Sequence, residues 1–85
     1  MFKNRALDGS LNTCGPNIKR LRKADPRNLS QNGLARELSL AGLTIDKNAI
    51  QAIESGNRFV LDIELKAIAK VFGVSMEELT KEKDE

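Results

Sequence analysis

Histidine is absent from the 85-residue chain, and cysteine occurs only once, at Cys14. Without histidine there is no Ser-His or Cys-His nucleophile pair, no imidazole base and no mixed Cys/His zinc site. One cysteine closes no disulfide within the chain and holds no metal ion by itself, so we expect an ordinary reduced thiol. These absences argue against an enzyme, and we expect neither a metal nor a cofactor.

Aromatic residues and long apolar runs are also scarce. Tryptophan and tyrosine are missing and there are three phenylalanines, which disfavours proteins that stack single-stranded nucleic acid on aromatic rings. No apolar run approaches the roughly 20 residues of a membrane span, and no secretory hydrophobic segment is visible. With a hydrophobic content of 40%, the sequence predicts one small soluble domain in the cytoplasm.

Charge is distributed unevenly along the chain. Residues 1–60 hold ten Lys and Arg against five Asp and Glu, whereas residues 61–85 hold four against seven. The basic part could face phosphate groups, and the acidic end should then point away from a polyanion. A solvated surface of mixed charge would give similar counts, so the asymmetry is a weak indication.

Caps, stops and apolar spacing predict a compact all-α domain of five helices. The predicted helices are 16–24, 31–41 after Ser30, 47–55 after Asp46, 62–72 after Leu61, and a short helix after Ser75. Residues 1–14 show no sustained period and are predicted to form a flexible arm. The packed domain is therefore predicted over 15–80, followed by a charged tail over 81–85.

The third predicted helix is polar on one side only. Its inward positions are Ile50, Ile53 and Glu54, spaced at i, i+3 and i+4. Lysine suits the paired acceptors of guanine, the amides of Asn and Gln suit adenine, and an alanine methyl can meet a thymine methyl. The candidate base-reading residues are Lys47, Asn48, Gln51 and Ala52. The alternative is the polar face of an ordinary bundle helix.

Two charged residues fall on inward faces. Arg22 lies four residues after Ile18 on the first helix, and Glu54 lies beside Ile50 and Ile53 on the third. A buried charge without a partner is costly, so we predict an Arg22–Glu54 ion pair that brings these two helices together. The alternative is that both side chains extend to the surface.

An ordered set of short motifs resembles the phage repressor and Cro type of helix-turn-helix, the XRE family of bacterial regulators. The motifs are IKRLR at 18–22, LSQ at 29–31, LA at 34–35, Ile50, IESG at 53–56 and ELKAIAKVFGVS at 64–75. The resemblance covers about residues 16–79. It implies a five-helix lambda-repressor-like fold in which helix two crosses the DNA backbone and helix three enters the major groove.

The resemblance also implies roles for individual residues. The base-facing positions of helix three are Lys47, Asn48 and Gln51, and the backbone contacts fall to Ser30, Gln31, Asn57 and Arg58. Arg22 and Glu54 match the structural ion pair of the family. For Gln31 and Arg58 the alternatives are an ordinary exposed first-turn residue and a solvated loop cation.

The chain departs from the family pattern at three places. The segments from Arg22 to Gln31 and from Ala35 to Asp46 are longer by about two and about three residues. The second addition leaves the crossing angle of helices two and three open. Leu61 also stands where a capping Ser or Thr is common, so we expect helix four to begin loosely.

The sequence therefore predicts a sequence-specific regulator of transcription that binds double-stranded DNA. Because one such module reads few base pairs, we expect a homodimer on a palindrome, with Phe59 and Met76 at the interface and Val60 and Leu79 in the core. The alternative is a protein-interaction module on the same fold, such as an antitoxin that binds a toxin, or an adaptor. The operator and the sign of regulation do not follow from the sequence.

Overall fold

Five short α-helices make up the fold. The computed structural model describes residues 5–6 and 8–82, so positions 1–4 and 7 of the predicted arm and 83–85 of the predicted tail lie outside it. The helices are α1 Gly15–Ala24, α2 Gln31–Leu40, α3 Lys47–Glu54, α4 Asp62–Phe72 and α5 Met76–Thr80. The described residues include no strand, and the predicted all-α fold of five helices is confirmed.

Three helices begin at side-chain caps. The side chains of Ser30, Asp46 and Ser75 each accept a hydrogen bond from the backbone N–H three residues on, at 2.9, 2.9 and 3.0 Å. Each bond satisfies one of the backbone donors left free in a first helical turn. The Glu78 carboxylate, three residues after the Ser75 cap, pairs with Lys81 at 2.8 Å.

Helix α4 begins without a capping side chain at Leu61. Instead, Glu64 Oε1 accepts a hydrogen bond from the Leu61 backbone N–H at 3.0 Å, which is the glutamate half of a capping box. The same carboxylate is held by Arg58 at 2.9 Å. Glu64 therefore fixes the start of α4, contrary to the expected loose start, although it accepts the Leu61 N–H and not a first-turn N–H as a capping side chain would.

The core lies where the helices meet. Helix α3 packs against α1 and α2, α4 packs against α2 and α5, and α5 returns to α1. The buried apolar residues are Cys14, Ile18, Leu34, Leu38, Ile50, Ile53, Ile68, Ala69 and Leu79. Because both neighbours of α3 pack on its inward side, its opposite side is left to solvent.

The lengthened segment before α3 is divided between helix and connection. Helix α2 continues to Leu40, and the chain turns at Gly42, whose φ is 97° and suits glycine. The Leu43 backbone N–H donates to the Leu38 carbonyl at 2.8 Å, which closes the end of α2. Leu43 and Ile45 then pack against the core. The additional residues thus anchor the connection to the domain.

Part of the predicted arm is packed on the domain. Asn12 Nδ2 donates to the carbonyls of Ile53 at 3.1 Å and Arg58 at 2.8 Å, and Asn12 Oδ1 accepts from the Gly15 backbone N–H at 2.8 Å. The side chain therefore ties the end of α3 and the following loop to the start of α1. Asn12 is therefore bonded to the packed domain, although the predicted boundary at residue 15 assigns it to the arm.

Arg22 and Glu54 join α1 to α3. Arg22 Nε lies 2.7 Å from Glu54 Oε2, and Nη2 lies 3.0 Å from Oε1, so the pair is bidentate. The side chains are 11% and 4% exposed. Hydrogen bonds with Glu54 raise the pKa of Arg22 above its ordinary value. The pair therefore restrains the position and orientation of α3 relative to α1.

We predict that Gly15→Ala destabilises the fold. A Cβ at Gly15 would overlap the backbone carbonyl oxygens of Ile53 and Glu54, and overpacking of this kind costs about 1–3 kcal/mol. The matched control is Gly33→Ala, whose Cβ would have its nearest neighbours at 3.4 Å, in the side chains of Leu29 and Ser30. It should be neutral or stabilise by up to about 1 kcal/mol, since glycine disfavours helix. Urea unfolding followed by circular dichroism distinguishes the two, and equal effects would contradict the close approach.

We also predict that Glu54→Ala lowers the free energy of unfolding by about 3–5 kcal/mol, because Arg22 is left buried without a partner. Glu37→Ala removes a carboxylate that is more exposed and pairs with Arg27 at 3.3 Å, and should cost less than about 1 kcal/mol. The double replacement Arg22→Met with Glu54→Leu should recover most of the loss. A Glu54→Ala effect no larger than that of Glu37→Ala would refute this view of the pair.

Candidate nucleic-acid interface

The outer side of α3 is a polar surface held from within. Lys47, Asn48 and Gln51 are exposed and lie within one turn of each other, whereas Ile50 and Ile53 are buried. The candidate base-reading residue Ala52 is half-buried at the edge of this surface. Since the inward side of α3 is anchored in the core, these polar side chains project from a rigid helix.

Gln31 links the start of α2 to the end of α3. Its Nε2 donates to Glu54 Oε1 at 3.1 Å, so the carboxylate accepts three hydrogen bonds, two from Arg22 and one from Gln31. Gln31 is half-buried, and the amide nitrogen carries a second N–H. The start of α2 and the polar surface of α3 are therefore held in one fixed arrangement.

Ser30 precedes Gln31 and is exposed at the start of α2. Its Oγ accepts the Gly33 backbone N–H, and the hydroxyl hydrogen is a donor that the cap does not use. A helix N-terminus also carries partial positive charge, which favours anions. Gln31 thus places a hydrogen-bond donor at the end of α3, and Ser30 carries another on the preceding residue.

Asn57 and Arg58 lie in the loop after α3, and their environments differ. Asn57 is exposed, and its Nδ2 donates to Ser55 Oγ at 3.2 Å. Arg58 is half-buried and binds Glu64 through both Nη atoms at 2.9 and 3.1 Å. These bonds raise the pKa of Arg58 and lower that of Glu64. The positive charge of Arg58 is therefore compensated within the protein.

Glu64 is a residue of this site that the sequence did not reveal. Its position three residues after an N-cap is the signal for a capping box, but Leu61 at the cap obscures it. By holding both Arg58 and the Leu61 backbone, Glu64 fixes the loop between α3 and α4. The geometry of this loop depends on the ion pair rather than on apolar packing alone.

A group of exposed apolar side chains follows the polar surface of α3. Phe59 is 50% exposed and Met76 36%, while the predicted core residue Leu79 is buried and Val60 is half-buried. Leu61 at 58% and Ile63 at 63% are also exposed, and the sequence did not indicate either as an interface residue. The loop after α3 and the first turn of α4 therefore carry an apolar surface.

The remaining chemistry of the described residues is limited. Burial raises the pKa of the Cys14 thiol to about 11, so the sulfur is protonated at neutral pH and is a poor nucleophile. The described part of the chain has no cluster of three or more His, Cys, Asp or Glu side chains placed to hold a metal ion. Among the described helices, none has the length and apolar character needed to cross a bilayer.

Comparison with protein families agrees with this geometry. The family model described as Helix-turn-helix matches residues 18–79, which covers all of α2, α3 and α4. Comparisons with curated proteins and with solved structures gave no match. The matched segment contains the ion pair, the polar surface of α3 and the loop after it. The chain therefore belongs to the helix-turn-helix family, as a DNA-binding regulator of the Cro and repressor type.

Proposed function

We propose that this protein regulates transcription by binding a specific sequence of double-stranded DNA, with α3 in the major groove. The observation that carries the proposal is the outer surface of α3, where Lys47, Asn48 and Gln51 are exposed on a helix whose other side is buried. An α-helix fits the width of the major groove, where all four base pairs present distinct donors and acceptors. The family assignment supports the same mode of binding.

The residue types on this surface match base edges. Lys47 can donate to guanine O6 and N7, while the amides of Asn48 and Gln51 can each donate to and accept from adenine. The methyl group of Ala52 is suited to a thymine methyl at the margin of the contact. The Asp46 carboxylate beside Lys47 is already bound to the Ala49 backbone N–H, so it is oriented toward α3 itself.

Phosphate contacts would position α3 without reading sequence. Ser30 and Gln31 would donate to one backbone strand from the start of α2, with Gln31 using its second amide N–H while the first remains on Glu54. Asn57 and Arg58 would contact the backbone beyond α3. Arg58 donates three hydrogen bonds within the protein, two to Glu64 and one to the Phe59 carbonyl, out of five guanidinium N–H groups. It therefore retains donors for a phosphate.

Binding as a homodimer would give useful specificity. Helix α3 has eight residues and is roughly 12 Å long, so one copy spans only a few base pairs. A two-fold dimer places a second α3 in the next major groove of a palindrome. We place Phe59 and Met76 in the interface, and the neighbouring exposed Leu61 and Ile63 extend the apolar area available to it.

Selection from a random pool of duplexes, followed by fluorescence anisotropy on the selected site, tests base reading. Gln51→Ala should relax the preference at one base pair of each half-site by about 1–3 kcal/mol, because a paired amide contact is lost. Lys47→Ala should do the same at a different base pair. Failure of the wild-type protein to bind any duplex at low salt would refute the proposed function.

Lys70→Ala is the matched control for Lys47→Ala. Lys70 is also an exposed helical lysine, and its replacement changes the net charge equally, but it lies on α4. The Lys70→Ala variant should have the same DNA sequence preference as the wild-type protein. Equal shifts in preference for the two variants would show that Lys47 does not read a base pair.

Sedimentation equilibrium tests the dimer. Phe59→Glu and Met76→Glu should shift the protein toward monomer and weaken binding to the palindrome about tenfold or more, because a charge enters an apolar interface. Leu40→Glu is the control, since Leu40 is 79% exposed at the end of α2, outside the proposed interface. Loss of the dimer only in the Leu40→Glu variant would indicate that the interface lies on α2. Unchanged association in all three variants would exclude Phe59 and Met76 from the interface.

A further inference from the structure

We propose that Lys19 and Lys23 on α1 form a second phosphate-binding row, which contacts the DNA backbone beside the bases read by α3. The inference rests on the proposed function, because it names the part of the protein that supplies charge to the same complex. These lysines belong to neither the base-reading nor the backbone-contacting set derived from the sequence. Three features of the described residues lead to it: the contact of α1 with α3, the contact of α1 with the segment before α2, and the cations that have no ion-pair partner.

Lys19 lies on the side of α1 that adjoins the end of α3. Residues three and four apart share a helix face, so Lys19 lies between Gly15, four residues before it, and Arg22, three residues after it. The Gly15 backbone approaches the Ile53 and Glu54 carbonyls, and Arg22 binds the Glu54 carboxylate. Lys19 is exposed, so it stands at the outer margin of this contact.

Arg22 also joins α1 to the segment that leads into α2. Arg22 Nη1 donates to the Leu29 carbonyl at 3.1 Å, and Leu29 immediately precedes the Ser30 cap. Lys23 follows Lys19 by four residues, so the two exposed lysines share a face of α1, with Lys23 one turn closer to the end of the helix. The two lysines therefore extend from the end of α3 toward the start of α2, where the proposed phosphate contacts begin.

Three of the six arginines in the described part of the chain are held in ion pairs within the protein. Arg22, Arg27 and Arg58 form ion pairs with Glu54, Asp25 and Glu64. Neither Lys19 nor Lys23 has an ion-pair partner among the described residues, which span 5–6 and 8–82. Two like charges one turn apart repel each other, and a polyanion such as the DNA backbone relieves that repulsion.

The chain contains a matched pair of lysines for comparison. Lys66 and Lys70 on α4 are also exposed, four residues apart, and without an ion pair among residues 5–6 and 8–82. Helix α4 packs against α2 and α5. The two pairs have equal charge and spacing, so a difference in their effect on DNA binding reports position on the protein.

The test compares two double variants. One carries Lys19→Gln and Lys23→Gln on α1, and the other carries Lys66→Gln and Lys70→Gln on α4. Glutamine keeps helix propensity and removes the charge. Affinity for one selected duplex is measured by fluorescence anisotropy from 50 to 300 mM KCl. Each phosphate contact contributes about 0.9 to the slope of log affinity against log salt, so the α1 variant should lose nearly two from the slope.

The α1 variant should weaken binding to specific and unrelated duplexes by the same factor, because phosphate contacts carry no sequence information. The α4 variant should keep the wild-type slope. Equal slopes for the two double variants, with wild-type binding intact, would overturn the α1 row and leave the proposed function standing. Absence of binding by the wild-type protein would instead refute the proposed function, and the α1 row with it. Circular dichroism confirms that each variant is folded.

Discussion

The carboxylate of Glu54 is the point on which the arrangement of the first three helices depends. It accepts two hydrogen bonds from Arg22 on α1 and one from Gln31 at the start of α2, while Glu54 itself ends α3. An acidic side chain at a helix C-terminus faces the negative end of the helix dipole, which is unfavourable by itself. Arg22 offsets that cost, so the position of α3 depends on its partners on the other helices.

The C-terminus of α3 is satisfied by groups from the other end of the domain. Asn12 donates to the Ile53 carbonyl, and the N-terminus of α1 approaches the same turn so closely that only glycine fits at residue 15. The positive end of α1 thus meets the negative end of α3, which is favourable. Together with the Arg22–Glu54 pair, these contacts restrain rotation and tilt of α3. A reading surface needs such restraint because base discrimination depends on fixed donors and acceptors.

Local signals in the sequence were sufficient to predict the helices. They were not sufficient to predict the long-range contacts. Ser30, Asp46 and Gly56 mark ends of helices through bonds to their immediate neighbours, and an inward arginine and glutamate predict each other because neither can be buried alone. Asn12, in contrast, bonds to carbonyls 41 and 46 residues away, and nothing in its local sequence indicates those partners. The crossing angle of helices two and three likewise does not follow from the sequence, because it depends on the packing of Leu43 and Ile45 against the core.

The distribution of charge indicates how affinity and specificity would be divided. The formal net charge is only +2, and the arginine in the loop after α3 is neutralised by Glu64. The outer surface of α3 presents two amides and one ammonium group, and amides contribute to base discrimination but little to the salt-dependent attraction for DNA. Affinity would then come from cations outside α3, on the helix that the Glu54 pair joins to it. The ion pair that orients α3 would also hold Lys19 and Lys23, the lysines proposed to bind phosphate, in a fixed position relative to it.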